Sequence, residues 1–456
     1  MTRFTKITAS VGPSSESERV LRQMISGGVN VCRINFSHDT GDTQGHKIDL
    51  IRTISRSLNL PVAVMVDLQG PKHRIGNFKT EEKYPLIVGQ EFTFDSNTAP
   101  GDSTRVNLPD ANVLRSLSVG ERILLNDGKI EMIVTNVSDG AVRAKVVRGN
   151  EIWSRRGFNL PDTDIQMPIL TEKDCADLDY AITKNPDFVA VSFVQRAEDI
   201  ADVRDFITAR TSNPIKIIAK IERKNAVERL GEIVSMADGV MIARGDLAVE
   251  LPYEQVPAVS RHIIRECRRL NRPVIMATQM LSSMVENEFP TRAEISDVAN
   301  AAYLRADSTM TSEETTIGAH PLKVIETMDK ILTASDIDAA NHPHDWVRSE
   351  NSDENDWSRS VSSMAFLNNA VAIIVFARDS DGVTQISCRR PDVKIIAVCD
   401  KEIIANQLCL LRGVIPLCTP DLFAQRDFVS VAKMCEIGSG KIVIVDDDDV
   451  SLRDLD

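Results

Sequence analysis

Lys220 and Glu222 stand two residues apart at the end of an apolar run, residues 215–222. A second apolar run, residues 239–243, closes on Arg244, Gly245 and Asp246. Residues i and i+2 of a strand share a face. One strand therefore offers an ammonium and a carboxylate together, and the next adds a second carboxylate. Two acids beside a lysine suit a hard divalent metal that carries a phosphate or a carboxylate. A structural salt-bridge cluster would use the same residue types, so the setting decides.

The setting is repetitive. Short apolar runs recur at residues 5–10, at 30–35 with Arg33 and Asn35, and at 62–65 leading into Asp67. Others lie at 188–191 leading into Ser192, at 274–277 leading into Thr278, and at 307–310 leading to Ser312 and Glu314. With the two strands above, these make eight candidate strands. Helical patterns lie between most of them, as at residues 16–26, 199–209 and 253–271. Eight βα units with polar strand endings predict an α/β protein built on a (β/α)8 TIM barrel, whose active site sits at the C-terminal strand ends.

Composition bounds the reading. The chain has 456 residues, enough for several domains, and a formal net charge of -13. That charge leaves no excess of Lys and Arg for nonspecific nucleic-acid binding. No apolar stretch reaches the ~18 residues of a membrane span. The N-terminus enters a strand at once without a signal-peptide core, so a cytoplasmic protein is expected. Eight cysteines lie scattered without CxxC pairs and read as reduced core residues, not as disulfides or zinc ligands.

Two departures from the βα rhythm mark further domains. Between Asp67 and Ser192 the pattern turns β-rich, with short strands at residues 92–94, 122–125, 130–134 and 141–147 and turns at Asp127-Gly128 and Asp139-Gly140. The expected division is barrel 1–70, an inserted small β-barrel lid 71–165, barrel 166–335 and a C-terminal α/β domain 336–456. That last domain opens on an acidic stretch, residues 349–356, and carries strands at 370–376, 394–398 and 441–445. The aspartates 446–449 read as a solvated end.

These residues carry a resemblance over nearly the whole chain. Thr5-Lys6-Ile7 with Gly12-Pro13-Ser14-Ser15, then Asn30-Val31-Cys32-Arg33-Ile34-Asn35-Phe36-Ser37-His38, resemble the first two strands of pyruvate kinases. Asp67-Leu68-Gln69-Gly70-Pro71-Lys72 resembles their third, and Gly157-Phe158-Asn159-Leu160-Pro161 their return from the lid. Ala219-Lys220-Ile221-Glu222, Ala243-Arg244-Gly245-Asp246-Leu247, Ala277-Thr278-Gln279-Met280-Leu281 and Pro290-Thr291-Arg292-Ala293-Glu294 complete an ordered series.

The resemblance implies phosphoryl transfer from phosphoenolpyruvate to ADP, in a homotetramer. It implies that Glu222 and Asp246 hold Mg2+ (or Mn2+), that Lys220 stabilises charge on the phosphoryl group and the departing enolate, and that Arg33 clamps the phosphate. It further implies that backbone N–H groups at Gly245 and Asp246 take the substrate carboxylate, and that Thr278 joins a hydroxyl and water relay that protonates the enolate. Arg74, Arg156, Asn35 and Asp127 fall on the nucleotide side. Ser312 and Glu314 either extend the relay or form a helix N-cap with its first-turn acid.

The chain also departs from the pattern. Glu313 replaces a usual Gly or Ala, and Ala248 a usual Gly. Lys72 stands where K+-dependent members carry Glu, and Leu68 where they carry Thr, so Leu68 is expected to remove a side-chain oxygen that could help hold the ion. A fixed ammonium at Lys72 would do the task of a diffusible K+, so K+ is not expected to be required. In the C-terminal domain, Asp379 and Asp381 oppose a sugar phosphate, although Arg378, Arg389 and Arg390 are near in sequence. Weak or absent activation by fructose 1,6-bisphosphate is expected. A metal-dependent lyase acting on pyruvate enolate, or a catalytically weakened regulatory homologue, are the alternatives.

Overall fold

The structure, a computed structural model, describes residues 3–37, 41–165, 167–341, 357–447 and 449–455. Eight parallel strands close into a barrel: β1 (Lys6–Ser10), β2 (Val31–Asn35), β3 (Ala63–Asp67), β4 (Phe188–Val191), β5 (Lys216–Ile221), β6 (Gly239–Ala243), β7 (Val274–Ala277) and β8 (Ser308–Thr311). Each pairs with its neighbours in sequence, and β1 closes on β8.

The two-residue period of a strand sorts the side chains. On β2, Cys32 and Ile34 face the helices, whereas Val31 faces the barrel interior. Arg33 and Asn35 follow Val31 at the same period. On β3, Met65 is interior and leads to Asp67; on β5, Ile218 is interior and leads to Lys220 and Glu222. Apolar residues thus fill the lower barrel, and the next residues on the same face bring charge to its upper mouth. Cys409 and Leu410 of the C-terminal domain join the interior cluster and close the barrel floor.

The excursion after β3 packs around its own core of Phe92, Phe94, Val106, Met132 and Phe158. Its strands Phe158–Asn159, Arg122–Leu125, Ile130–Ser138, Ala141–Arg148, Glu91–Asp95 and Arg105–Asn107 form a six-stranded sheet in that order, not a ring closed by hydrogen bonds. Asn126, Asp127 and Gly128 take positive φ angles of 52°, 54° and 76° in the expected hairpin turn.

The C-terminal domain is a five-stranded sheet: β9 (Ala372–Phe376), β10 (Lys394–Cys399), β11 (Val414–Cys418), β12 (Gly440–Asp446) and β13 (Asp449–Leu455), in the order β11-β10-β9-β12-β13. Only β13 runs antiparallel. Asp446, Asp447 and Asp449 therefore lie at a hairpin tip and not at a chain end, and Asp447 and Asp449 are exposed to solvent as expected. Asp446 pairs with Arg426 at 2.8 Å and Asp447 with Arg378 at 2.7 Å. The acidic stretch 349–356 and His38 lie outside the described residues. No helix among the described residues is long and apolar enough to cross a membrane.

Candidate active site

A chain of charges crosses the upper mouth of the barrel. Arg33 Nε donates to Asp67 Oδ2 at 2.6 Å, and its Nη1 to Ser10 Oγ at 2.8 Å. The other Asp67 oxygen accepts from Lys220 Nζ at 3.2 Å. Lys220 also reaches Glu222 Oε1 at 3.1 Å and donates to Ser192 Oγ at 2.6 Å. Ser192 in turn donates to the Leu68 carbonyl at 2.7 Å, which fixes its lone pairs toward the lysine. Lys72 Nζ lies 3.4 Å from Asp246 Oδ1. Arg33, Lys220, Glu222, Asp246 and Lys72, expected from sequence, are thus brought together by four strands.

Burial sets the electrostatics. Desolvation alone would raise the Asp67 carboxyl, but Arg33 and then Lys220 hold it below the ordinary value. Burial likewise opposes the charge on Lys220, and Asp67 and Glu222 outweigh it, so its pKa is raised. Glu222 is the member whose charge is least supported. Burial pushes its carboxyl up to about 7, helped by Asp246, despite Lys220 and the Phe193 N–H that donates to Oε2 at 2.7 Å. A dication between Glu222 and Asp246 would relieve that repulsion. The donor set is all oxygen, and two carboxylates leave most of a Mg2+ shell for substrate and water. Among the described residues no group of three or more His, Cys, Asp or Glu converges, so no all-protein cage competes with this open site.

The loops after β6 and β7 complete the mouth. A short helix, Arg244–Glu250, opens directly after β6. The Gly245 N–H, expected to be free for substrate, donates to Thr278 Oγ1 at 2.8 Å. That leaves the Thr278 hydroxyl hydrogen available for donation. Thr278 and Gln279 take φ angles of 66° and 54°. A left-handed backbone at a β-branched residue is strained and needs outside support. Arg244 supplies it, donating to the Thr278 and Ala277 carbonyls at 2.7 and 3.2 Å while paired with Asp297 at 2.7 Å.

Other expected residues sit differently. Glu314 is buried, with its carboxylate accepting the N–H groups of Leu281 and Ser312 at 3.2 and 2.6 Å. It clasps the β7 and β8 loops together, and Ser312 makes no side-chain cap. Glu313 points to solvent. Leu68 packs in the outer core and not toward the site, so its replacement of Thr removes no oxygen from the mouth. Arg74 is exposed and donates to the Arg155 carbonyl at 3.1 Å; Arg156 lies 4.9 Å over the Trp153 ring. Asn35 accepts from the Ser37 N–H at 3.1 Å, and Asp127 is exposed on the lid turn. No side-chain hydrogen bond or ion pair among the described residues joins these four to the charge chain, although Asn35 is the register partner of Asp67.

Sequence reasoning named Asp67 and Ser192 as polar strand endings but gave them no role, and it passed over Ser10. Asp67 carried a usable signal, since it ends an interior-facing strand as Glu222 does. Gly70 belongs with them: its φ is 68°, and a Cβ there would meet Ser192 Cβ at 2.8 Å.

An eight-stranded barrel whose mouth gathers an arginine- and lysine-bound aspartate beside an open two-acid site defines a barrel enzyme suited to an anionic substrate. Comparison with known proteins narrows the class. The pyruvate kinase barrel domain matches residues 2–325, and the pyruvate kinase alpha/beta domain residues 355–450. A pyruvate kinase of Methylorubrum extorquens is 38% identical, covering 97% of this chain and 94% of its own. One of Staphylococcus saprophyticus is 36% identical, covering 97% of this chain and 77% of its own. The crystal structure of a pyruvate kinase from Cryptosporidium parvum matches with a TM-score of 0.93 at 29% identity, over 100% of this chain and 97% of that one. The chain belongs to the pyruvate kinase family and is a phosphotransferase.

Proposed function

We propose that this phosphotransferase moves the phosphoryl group of phosphoenolpyruvate to ADP, giving pyruvate and ATP, with Mg2+ or Mn2+ and without K+. The observation that carries the reading is Lys220, clamped between Asp67 and Glu222 at 3.2 and 3.1 Å beside the Arg33 guanidinium. A divalent ion held by Glu222 and Asp246 would neutralise phosphate and carboxylate oxygens when bound.

The protein groups divide the remaining work. Arg33, aimed by Asp67 and Ser10, presents planar donors that suit phosphate oxygens. Lys220 is fixed before substrate arrives, so its charge costs no reorganisation as negative charge shifts toward the enolate. Thr278, held by Arg244 and already accepting the Gly245 N–H, can give its hydroxyl proton only if a water chain replaces it. On this reading Asn35, Arg74, Arg156 and Asp127 serve the nucleotide; the lid meets the barrel where Asn159 Nδ2 donates to Glu250 Oε1 at 3.1 Å. The same reading makes the protein a cytoplasmic homotetramer.

The K+ part rests on Lys72. Its ammonium sits in the mouth beside Asp246, a fixed charge with no binding equilibrium. Turnover with Mg2+, in a buffer whose only monovalent cation is bulky and organic, is expected to match turnover with added KCl. Strong stimulation by KCl would overturn this part and leave the phosphoryl-transfer reading standing. In the C-terminal domain, Arg378 is paired with Asp447 and Arg390 with Asp307, so neither is free to offset Asp379 and Asp381. Fructose 1,6-bisphosphate is expected to leave the apparent substrate constant nearly unchanged.

A further inference from the structure

We infer that Cys399 and Cys418 form a paired dithiol that closes to an intrachain disulfide when a hydroperoxide reaches the edge of the C-terminal sheet. They are direct register partners on the parallel strands β10 and β11. Both pack on the same sheet face, in one cluster with Ile395 and Ala397. Neighbouring strands lie ~4.8 Å apart, within the ~4.4–6.8 Å Cα separation that a disulfide spans. The bond can therefore close without moving the backbone out of register. Cys399 is fully buried, and its Sγ lies 3.5 Å from the Leu417 carbonyl. Cys418 is partly exposed on the edge strand, so the pair has one accessible and one sheltered sulfur.

The order of events follows from that asymmetry. The Cys418 thiolate attacks a peroxide oxygen, the O–O bond breaks, and an alcohol or water leaves. Cys399 then attacks the resulting sulfenic sulfur and expels water. The balance is two thiols and one hydroperoxide giving one disulfide, one water and one alcohol (or a second water). Burial lifts Cys399 up to about 12, and burial with Glu402 and Asp400 raises Cys418, so the dithiol is the resting state and closure is slow.

Closure would matter because of what lies between the sulfurs. Residues 400–417 contain the helix Glu402–Leu408, the barrel-floor residues Cys409 and Leu410, and Arg412, whose N–H reaches Asp307 at 3.1 Å. A bond from Cys399 to Cys418 staples both ends of that segment.

The test is mild treatment of the native protein with hydrogen peroxide, then alkylation in denaturant and peptide mass spectrometry. The chain has eight cysteines, so eight less two leaves six alkylated, with the peptides of Cys399 and Cys418 joined and lighter by two hydrogens. Amide exchange across residues 402–412 should slow, reduction should reverse both changes, and Cys418→Ser should show neither. The inference falls if Cys418 passes to sulfinic acid while Cys399 remains a thiol. It falls equally if either sulfur joins another cysteine, or if the link appears only in protein that has already lost its activity.

Discussion

The two ends of the barrel both bury charge, and they do so differently. At the floor, Arg390 meets Asp307 through two hydrogen bonds of 2.8 and 2.5 Å, and both side chains are 1% exposed or less. Asp307 also accepts the N–H groups of Val274 and Arg412, and Arg412 pairs with Asp336 at 2.6 Å. At the mouth, one lysine serves two carboxylates, Arg33 remains 12% exposed, and Lys72 and Asp246 are 25% and 29% exposed. The floor assigns each carboxylate its own arginine and ties the barrel to the C-terminal domain. The mouth leaves the Glu222 carboxyl raised to about 7 and Thr278 strained. A carboxylate given its own arginine makes architecture, whereas a pair of carboxylates sharing one lysine at an open mouth suits a cationic ligand.

Substitutions at the two ends should therefore fail in opposite ways. The largest effect is expected from Lys220→Met. Turnover should fall by roughly 10³-fold or more, since a preorganised charge is lost from the transition state. The unfolding transition should hardly move, because Glu222 can take up a proton in place of its partner and Asp67 keeps Arg33. Steady-state kinetics beside thermal melts would check both halves; a large loss of stability with activity preserved would invert the comparison.

Arg390→Met should do the reverse. It strands Asp307 in the core and should cost about 3–5 kcal/mol of stability, while kcat per folded molecule stays close to normal. Denaturant titration with active-site counting separates the two quantities. Next in size, Asp246→Asn should weaken Mg2+ at least ~10-fold, the scale that even an outer-shell partner commands. It should leave the melting temperature of the metal-free protein alone. A Mg2+ titration of rate, repeated with Mn2+, reads that effect.

The smallest effect belongs to Lys394, which lies 3.7 Å over the Phe4 ring beneath the barrel. Burial, then neighbouring Lys6, lowers its pKa to about 7 from 10.5. A base lowered in the folded state binds fewer protons there than when unfolded, so its penalty is full below pH 7 and fades as pH rises toward 10.5. Lys394→Met should raise the apparent melting temperature by roughly 2–4 °C at pH 7 and flatten the rise toward pH 10. A variant with an unchanged pH slope would show that Lys394 is not the group responsible.

Much of this was legible in the sequence. Interior alternation is strict on β2, β3 and β5, so Arg33, Lys220 and Glu222 could be placed from period alone. The edge strand β11 was not legible, because Pro416 sits at its centre, a residue tolerated only where a ladder hydrogen bond can be spared. β13 was missed because its charged residues lack an apolar period. Within the site, the Asp67 bridge joins residues 34 and 153 positions apart, and the left-handed turn at Thr278 depends on Arg244 from the helix after β6. Neither leaves a local trace. Leu68 misled for a simpler reason: it follows an interior residue and so faces outward.

The central claim is that this mouth couples enolate release to phosphoryl transfer. Its most direct test is to measure pyruvate and ATP together in one reaction of the purified protein with phosphoenolpyruvate, ADP and Mg2+. Equal amounts of the two products, both abolished by chelating the metal, are predicted. Pyruvate formed without ATP, or cleavage of a carbon–carbon bond in place of phosphoryl transfer, would contradict it.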